Sequence, residues 1–147
     1  QLQLKIMICE FIKGIAKAQP RVKAYSRGGK AGVYTPSTAD EWRRTVQAGL
    51  ARHAGKSIKD AIHVDLQFYL KRPKSHFRTG KFSHILRDDA PTHHLTRVDV
   101  DNLAKLPLDV LTKMKYFCDD SQVVCLRVTK EYADIFDAGM KITTTVL

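Results

Sequence analysis

Residues 61–70, "AIHVDLQFYL", form the most constraining stretch in this chain. Successive side chains of a β-strand point to opposite faces. Ile62, Val64, Leu66, Phe68 and Leu70 therefore share one face, and His63, Asp65, Gln67 and Tyr69 share the other. A strand so one-sided requires a sheet with an apolar layer packed on it. The rest of the chain offers the parts. "LQLKIMICEFIKG" alternates Leu2, Leu4, Ile6 and Ile8 against Gln3, Lys5, Met7 and Cys9. Its middle is apolar on both faces, which predicts a central position in the sheet. "SQVVCLRVTKEY" predicts a strand with Val124, Leu126 and Val128 inward, and "GMKITTTVL" a closing strand through Met140, Ile142, Thr144 and Val146.

Two helical patterns fall between the strands. Pro36 and a capping box of Thr38 with Glu41 announce the first. Trp42, Val46, Gly49, Leu50 and His53 line one side of it, and Gly55 is the stop. The second runs from Asn102, with Leu103, Leu106, Val110 and Met114 as its buried stripe. The expected fold is α+β: a single small mixed sheet with two main helices packed on it, in strand-helix-strand-helix-strand-strand order, over one domain spanning 1–147.

Composition narrows the function. The formal net charge is +10 over 147 residues, which favours a polyanionic partner such as nucleic acid. The basic residues gather in two stretches poor in periodicity. The first, "IAKAQPRVKAYSRGGKAGVYTP", reads as a long loop or irregular hairpin carrying Lys17, Arg21, Lys23, Arg27 and Lys30, with Tyr25 and Tyr34 interleaved. The second, residues 71–97, holds Lys71, Arg72, Lys74, Arg78, Lys81 and Arg87 and reads as a structureless loop, either solvated or ordered on contact with a polyanion. Cys9, Cys118 and Cys125 have no paired spacing, so free thiols in a reducing cytoplasm are expected. No apolar run approaches a membrane span, and no secretory leader pattern opens the chain.

Against this basic background stands "RVDVDNLAKLPLDVLTKMKYFCDD", residues 97–120, with acids at both ends. In extended backbone Asp99 and Asp101 share a face, about 6.6 Å apart along the chain, with Val98 and Val100 turned to the core. Lys105 lies one helical turn beyond Asp101. Asp119 and Asp120 close the segment. Carboxylates beside a lysine suit a hard divalent cation, which polarises a phosphodiester and lowers the pKa of an attacking water; the lysine steadies developing charge. Each residue also has a plainer reading. Asp101 can be a helix N-cap, Asp101 with Lys105 a solvated pair worth about 0.3 kcal/mol, and Asp119 with Asp120 a turn. A calcium-binding helix–loop–helix is excluded, because Ala104 replaces the required glycine and Val110 the bidentate glutamate.

The run Asp99-Val-Asp-Asn-Leu-Ala-Lys105, then Leu108-Asp-Val-Leu111, then Asp119-Asp-Ser-Gln-Val-Val124 resembles the signature of the RusA family of Holliday-junction resolvases. The match is tight over these residues and looser beyond, where the Pro-Arg basic loop and a Tyr-x-Pro before the first helix fit the same pattern. The "PKSHFRTGK…APTHH" stretch is similar to the phage-borne branch. The resemblance implies a homodimeric, Mg²⁺-dependent endonuclease, with Mn²⁺ as a substitute metal, that nicks a four-way DNA junction symmetrically during recombination and repair. It implies Asp99, Asp101 and Asp120 as metal ligands, Lys105 as the essential lysine, and Asp119 as the less critical acid. Lys17, Arg21, Lys23, Arg72, Lys74, Arg78 and Arg97 are the expected DNA contacts, in a cytoplasmic, nucleoid-associated enzyme. Two departures stand out. The family's basic residue directly before the first aspartate is shifted by one to Arg97, and Pro107 is expected to kink the helix or delay its start. Competing readings are a catalytically weak nucleic-acid-binding module, stacking bases on Tyr25 or Tyr34, and a nuclease for other branched DNA.

Overall fold

The computed structural model describes residues 5–147. The expected strand positions of Leu2 and Leu4 lie outside the described residues. Among the described residues, six strands and two α-helices follow one another, with short 3₁₀ turns between them: β1 (Lys5–Lys13), β2 (Lys23–Arg27), β3 (Lys30–Tyr34), α1 (Asp40–Leu50), β4 (Ile62–Leu70), α2 (Val100–Lys113), β5 (Val123–Tyr132) and β6 (Gly139–Val146). Four strands build a mixed sheet in the order β1-β6-β4-β5, with β4 and β5 parallel and the other neighbours antiparallel. β2 and β3 form a separate hairpin.

The alternation of β4 is realised as read. Ile62, Val64, Leu66 and Phe68 are buried against the helical layer, whereas His63, Asp65 and Gln67 lie half-buried on the opposite face. Trp42, Val46 and Leu50 from α1, and Leu103, Leu106, Val110 and Leu111 from α2, fill the same core with Ile8, Ile12, Met140 and Ile142. β4 and β5 run parallel, so the chain must cross over between them; α2 lies on that crossover, with its apolar stripe on the core.

Four expectations are corrected. Among the described residues, β1 is an edge strand that pairs with β6 alone. A register shift lies between Ile6 and Ile8, and Met7 packs on the core beside Ile8, while further along Phe11 packs on Tyr69, with ring centres 6.0 Å apart, and Tyr69 on Phe136 at 4.9 Å. This aromatic row sits on the side away from the helices. In β5, Val124 and Leu126 are 63% and 43% exposed, and Val123 and Val128 make the inward contacts. A register shift beside Ile62 places Val123 opposite it, so the alternation is offset at the strand's start. α1 begins at Asp40 with Ala39 as its N-cap and no side-chain cap, so the capping box of Thr38 and Glu41 does not form. α2 begins at Val100, not late, and runs unbroken past a buried Pro107.

The two basic stretches are also more ordered than their composition suggests. β2 and β3 are joined by Gly28 and Gly29, whose φ values of 58° and 77° give the two-residue turn that suits paired strands. Residues 71–97 fold back on themselves: Phe77 bridges Leu86, Arg78 N–H donates to Ile85 O at 2.9 Å, and Arg87 N–H to His76 O at 2.9 Å.

Candidate active site

Asp99 is the N-cap residue of α2, with extended backbone, and its carbonyl accepts the first helical hydrogen bond from Leu103 N–H at 3.1 Å. Its side chain makes no capping bond. Asp101 stands in the first turn, so the two acids sit across a helix start and not along one extended face. Val98 still packs on the core, while Val100 is 37% exposed. Both carboxylates are exposed and, among the described residues, neither enters an ion pair. They lie at the positive end of the helix dipole, which attracts negative charge. Lys105 is one turn further and exposed; its ammonium donates to Asn102 Oδ1 at 3.1 Å and not to Asp101.

Asp119 and Asp120 divide their work. Asp119 caps a single 3₁₀ turn, Asp120–Gln122: its N–H donates to Gln122 Oε1 at 2.8 Å, and Ser121 Oγ donates to its Oδ2 at 2.9 Å. Gln122 Nε2 in turn donates to the Ile58 and Asp60 carbonyls at 2.8 and 3.0 Å, fixing the turn to the segment before β4. The Ser121 hydroxyl, then Asp120, holds the Asp119 carboxyl below its usual range. The hydrogen bond with Asp119, and then the charge of the same neighbour, push Asp120 up. Asp120 is thus the acid of the pair left exposed with no structural bond beyond its neighbour.

This turn packs against α2, bringing Asp120 beside the helix that carries Asp99 and Asp101. Among the described residues, no three His, Cys, Asp or Glu side chains stand together at metal-ligand spacing. Asp99 and Asp101 stand on α2 and Asp120 on the turn packed against it, and the three do not form a closed set. Their chemistry fits a hard cation such as Mg²⁺: they are all-oxygen donors, exposed and free of ion pairs.

Asp109 went unassigned in the sequence reading. It lies two turns beyond Asp101 on the same side, and Arg43 of α1 donates to its Oδ2 at 2.8 Å, with Lys113 Nζ at 3.2 Å. Burial pushes Asp109 up, but the two cations more than offset this and hold it below its usual range. The i, i+4 series Asp101, Lys105, Asp109, Lys113 was the available signal.

The expected DNA contacts separate into three groups. Lys17, Arg21, Lys23, Lys74 and Arg97 are exposed. Lys23, Tyr25 and Arg27 share a face of the hairpin with their cross-strand partners Tyr34, Gly32 and Lys30; Ala24, Ser26, Ala31 and Val33 occupy the other. A methyl group on Gly32 would stand 2.6 Å from the Tyr25 ring, so this glycine lets the ring lie flat on the hairpin. Arg78 is exposed but donates to Asp88 at 3.1 Å. Arg72 is corrected outright. It is 9% exposed, donates to Asp134 at 2.7 and 3.0 Å and to the Pro91 carbonyl at 2.8 Å, and stacks 4.1 Å above the Tyr132 ring. Its guanidinium is committed inside the protein and holds the 71–97 excursion in place.

No described helix is long and apolar enough to cross a membrane. The sequence profile of the family described as Endodeoxyribonuclease RusA matches residues 12–144. A Bacillus subtilis (strain 168) protein, YqaN, described as uncharacterized, is 31% identical over 124 residues, covering 84% of this chain and 86% of its own length.

Proposed function

This chain belongs to the RusA family of endodeoxyribonucleases, and we propose that it is a Mg²⁺-dependent enzyme that resolves four-way DNA junctions by paired, symmetric nicks as a homodimer. The observation that carries the metal site is the pair of exposed, unpaired carboxylates at the α2 N-terminus, with Asp120 on a turn packed against that helix. Asp99, Asp101 and Asp120 hold the cation; closing all three around it is part of the proposal. When bound, Mg²⁺ supplies a Lewis acid for the scissile phosphate and lowers the pKa of the attacking water. Asp120 would hold the cation as the carboxylate; its hydrogen bond with Asp119 opposes that form, and the cation favours it. Lys105 leaves Asn102 to meet the charge developing on the phosphate oxygens. Lys17, Arg21, Lys23, Lys74 and Arg97 engage backbone phosphates without reading sequence. Two-fold symmetry of the dimer matches the near two-fold symmetry of the junction.

The test is cleavage of a labelled four-way junction in Mg²⁺. Wild type should nick opposite strands at paired positions, and Asp101→Asn should lose at least about 100-fold in single-turnover rate while still shifting the junction in a binding assay. Cleavage by Asp101→Asn at the wild-type rate would remove Asp101 from the site.

A further inference from the structure

Lys130 is an anomaly of the fold. It stands on β5 between Val128 and Tyr132, opposite Phe68, on the strand face turned towards the helical layer. An ammonium on that face is costly unless it finds acceptors. It finds two, the backbone carbonyls of Thr96 and Val98, each at 2.9 Å. Those carbonyls flank Arg97 and immediately precede Asp99. Among the described residues, Leu95, Thr96, Arg97 and Val98 exchange no backbone–backbone hydrogen bond of their own. The helical ladder starts only at the Asp99 carbonyl. Beside the packing of Val98 on the core, the last stretch of chain before the acids is thus hydrogen-bonded to the sheet by one side chain from the far end of β5.

We infer that Lys130 is a positioning residue for the metal site: by holding the Thr96 and Val98 carbonyls it fixes how α2 begins, and so where Asp99 and Asp101 present their carboxylates. This rests on the metal-dependent reading above. The physical basis is that of any outer layer around a ligand set. A carboxylate at a helix N-cap is only as well aimed as the backbone that enters the helix, and loss of such support typically costs about 10- to 100-fold in metal affinity or activity. Lys130 touches neither cation nor DNA in this account. Its effect should appear in metal affinity and in the mobility of the first turn of α2.

Two measurements on the full chain test this. Mn²⁺ uptake, followed by the paramagnetic resonance of the free ion, should weaken about 10-fold in Lys130→Met. Amide hydrogen exchange over the first hydrogen-bonded turn of α2, Leu103 to Leu106, should quicken by a similar factor. Lys130→Arg, which keeps two donors for the two carbonyls, should recover most of both effects. Lys141→Met, at an exposed position on β6, should change neither. If the wild type takes up no Mn²⁺, the metal-dependent reading fails and takes the role of Lys130 with it. If the wild type binds Mn²⁺ and Lys130→Met binds it equally well, the inference alone is overturned, whatever happens to exchange.

Discussion

At the scale of single residues, arginine and lysine in the same loop do opposite things. Arg72 and Lys74 are two apart, and both were read as phosphate contacts. Arg72 sits where its planar fork can hold both oxygens of Asp134, while its other nitrogen reaches Pro91 and its face lies on Tyr132. Lys74 is exposed. Arg72→Ala should therefore lower stability by about 2 kcal/mol, read from the urea midpoint, because it strips a buried fork from its acceptors. Lys74→Ala should leave the midpoint unchanged and reduce the slope of log affinity against log salt by about 0.9 for one lost phosphate contact. The reverse pattern would return Arg72 to the DNA surface. Sequence could not separate the two, because the partners of Arg72 are 19 and 62 residues away. The acids were more legible. Asp99, Asp101 and Asp120 were picked out by motif and spacing, and the roles given to them belong to the proposal. Asp109 was passed over because its meaning depends on Arg43, a residue of the other helix.

At the scale of elements, period decided what could be read. β4 and α2 each have one buried face and a repeat that matches their geometry, so both appeared in sequence. β1 was misplaced because apolar residues on both faces were taken as a sign of cover on both sides, when a register shift between Ile6 and Ile8 lets Met7 pack on the core beside Ile8 and Cys9 is exposed. Its docking has a polar component too. Glu10 of β1 meets His53, 3.2 Å away, and Arg52 in the turn after α1. The hydrogen bond with His53, then that with Arg52, holds the Glu10 carboxyl below its ordinary value of 4.5. A lowered pKa in the folded state adds stability above the unfolded value and loses it as pH falls through the folded one. Glu10→Gln should thus be less stable than wild type at neutral pH, with the gap narrowing from about pH 4.5 downwards. Urea midpoints of the two proteins across that range check this; a gap independent of pH would show that Glu10 contributes by packing alone.

At the scale of the molecule, charge is sorted by location. The acids of the site lie where α2 starts and where β5 begins, on the helical layer; the basic hairpin and the 71–97 excursion are additions to the four-stranded sheet. The net charge of +10 announced a polyanion from composition alone. In the first basic stretch the hairpin alternative is realised, as a regular one; the order of the second was not legible, because it comes from tertiary anchors such as Arg72 and not from any repeat. The central claim is that acids from two elements serve one cation. A crystal soaked in Mn²⁺ and measured at the manganese absorption edge tests it most directly. The account predicts one anomalous peak bonded to oxygens of Asp99, Asp101 and Asp120 at about 2.2 Å. A peak bound elsewhere, or none at these three residues under conditions that support cleavage, would contradict it.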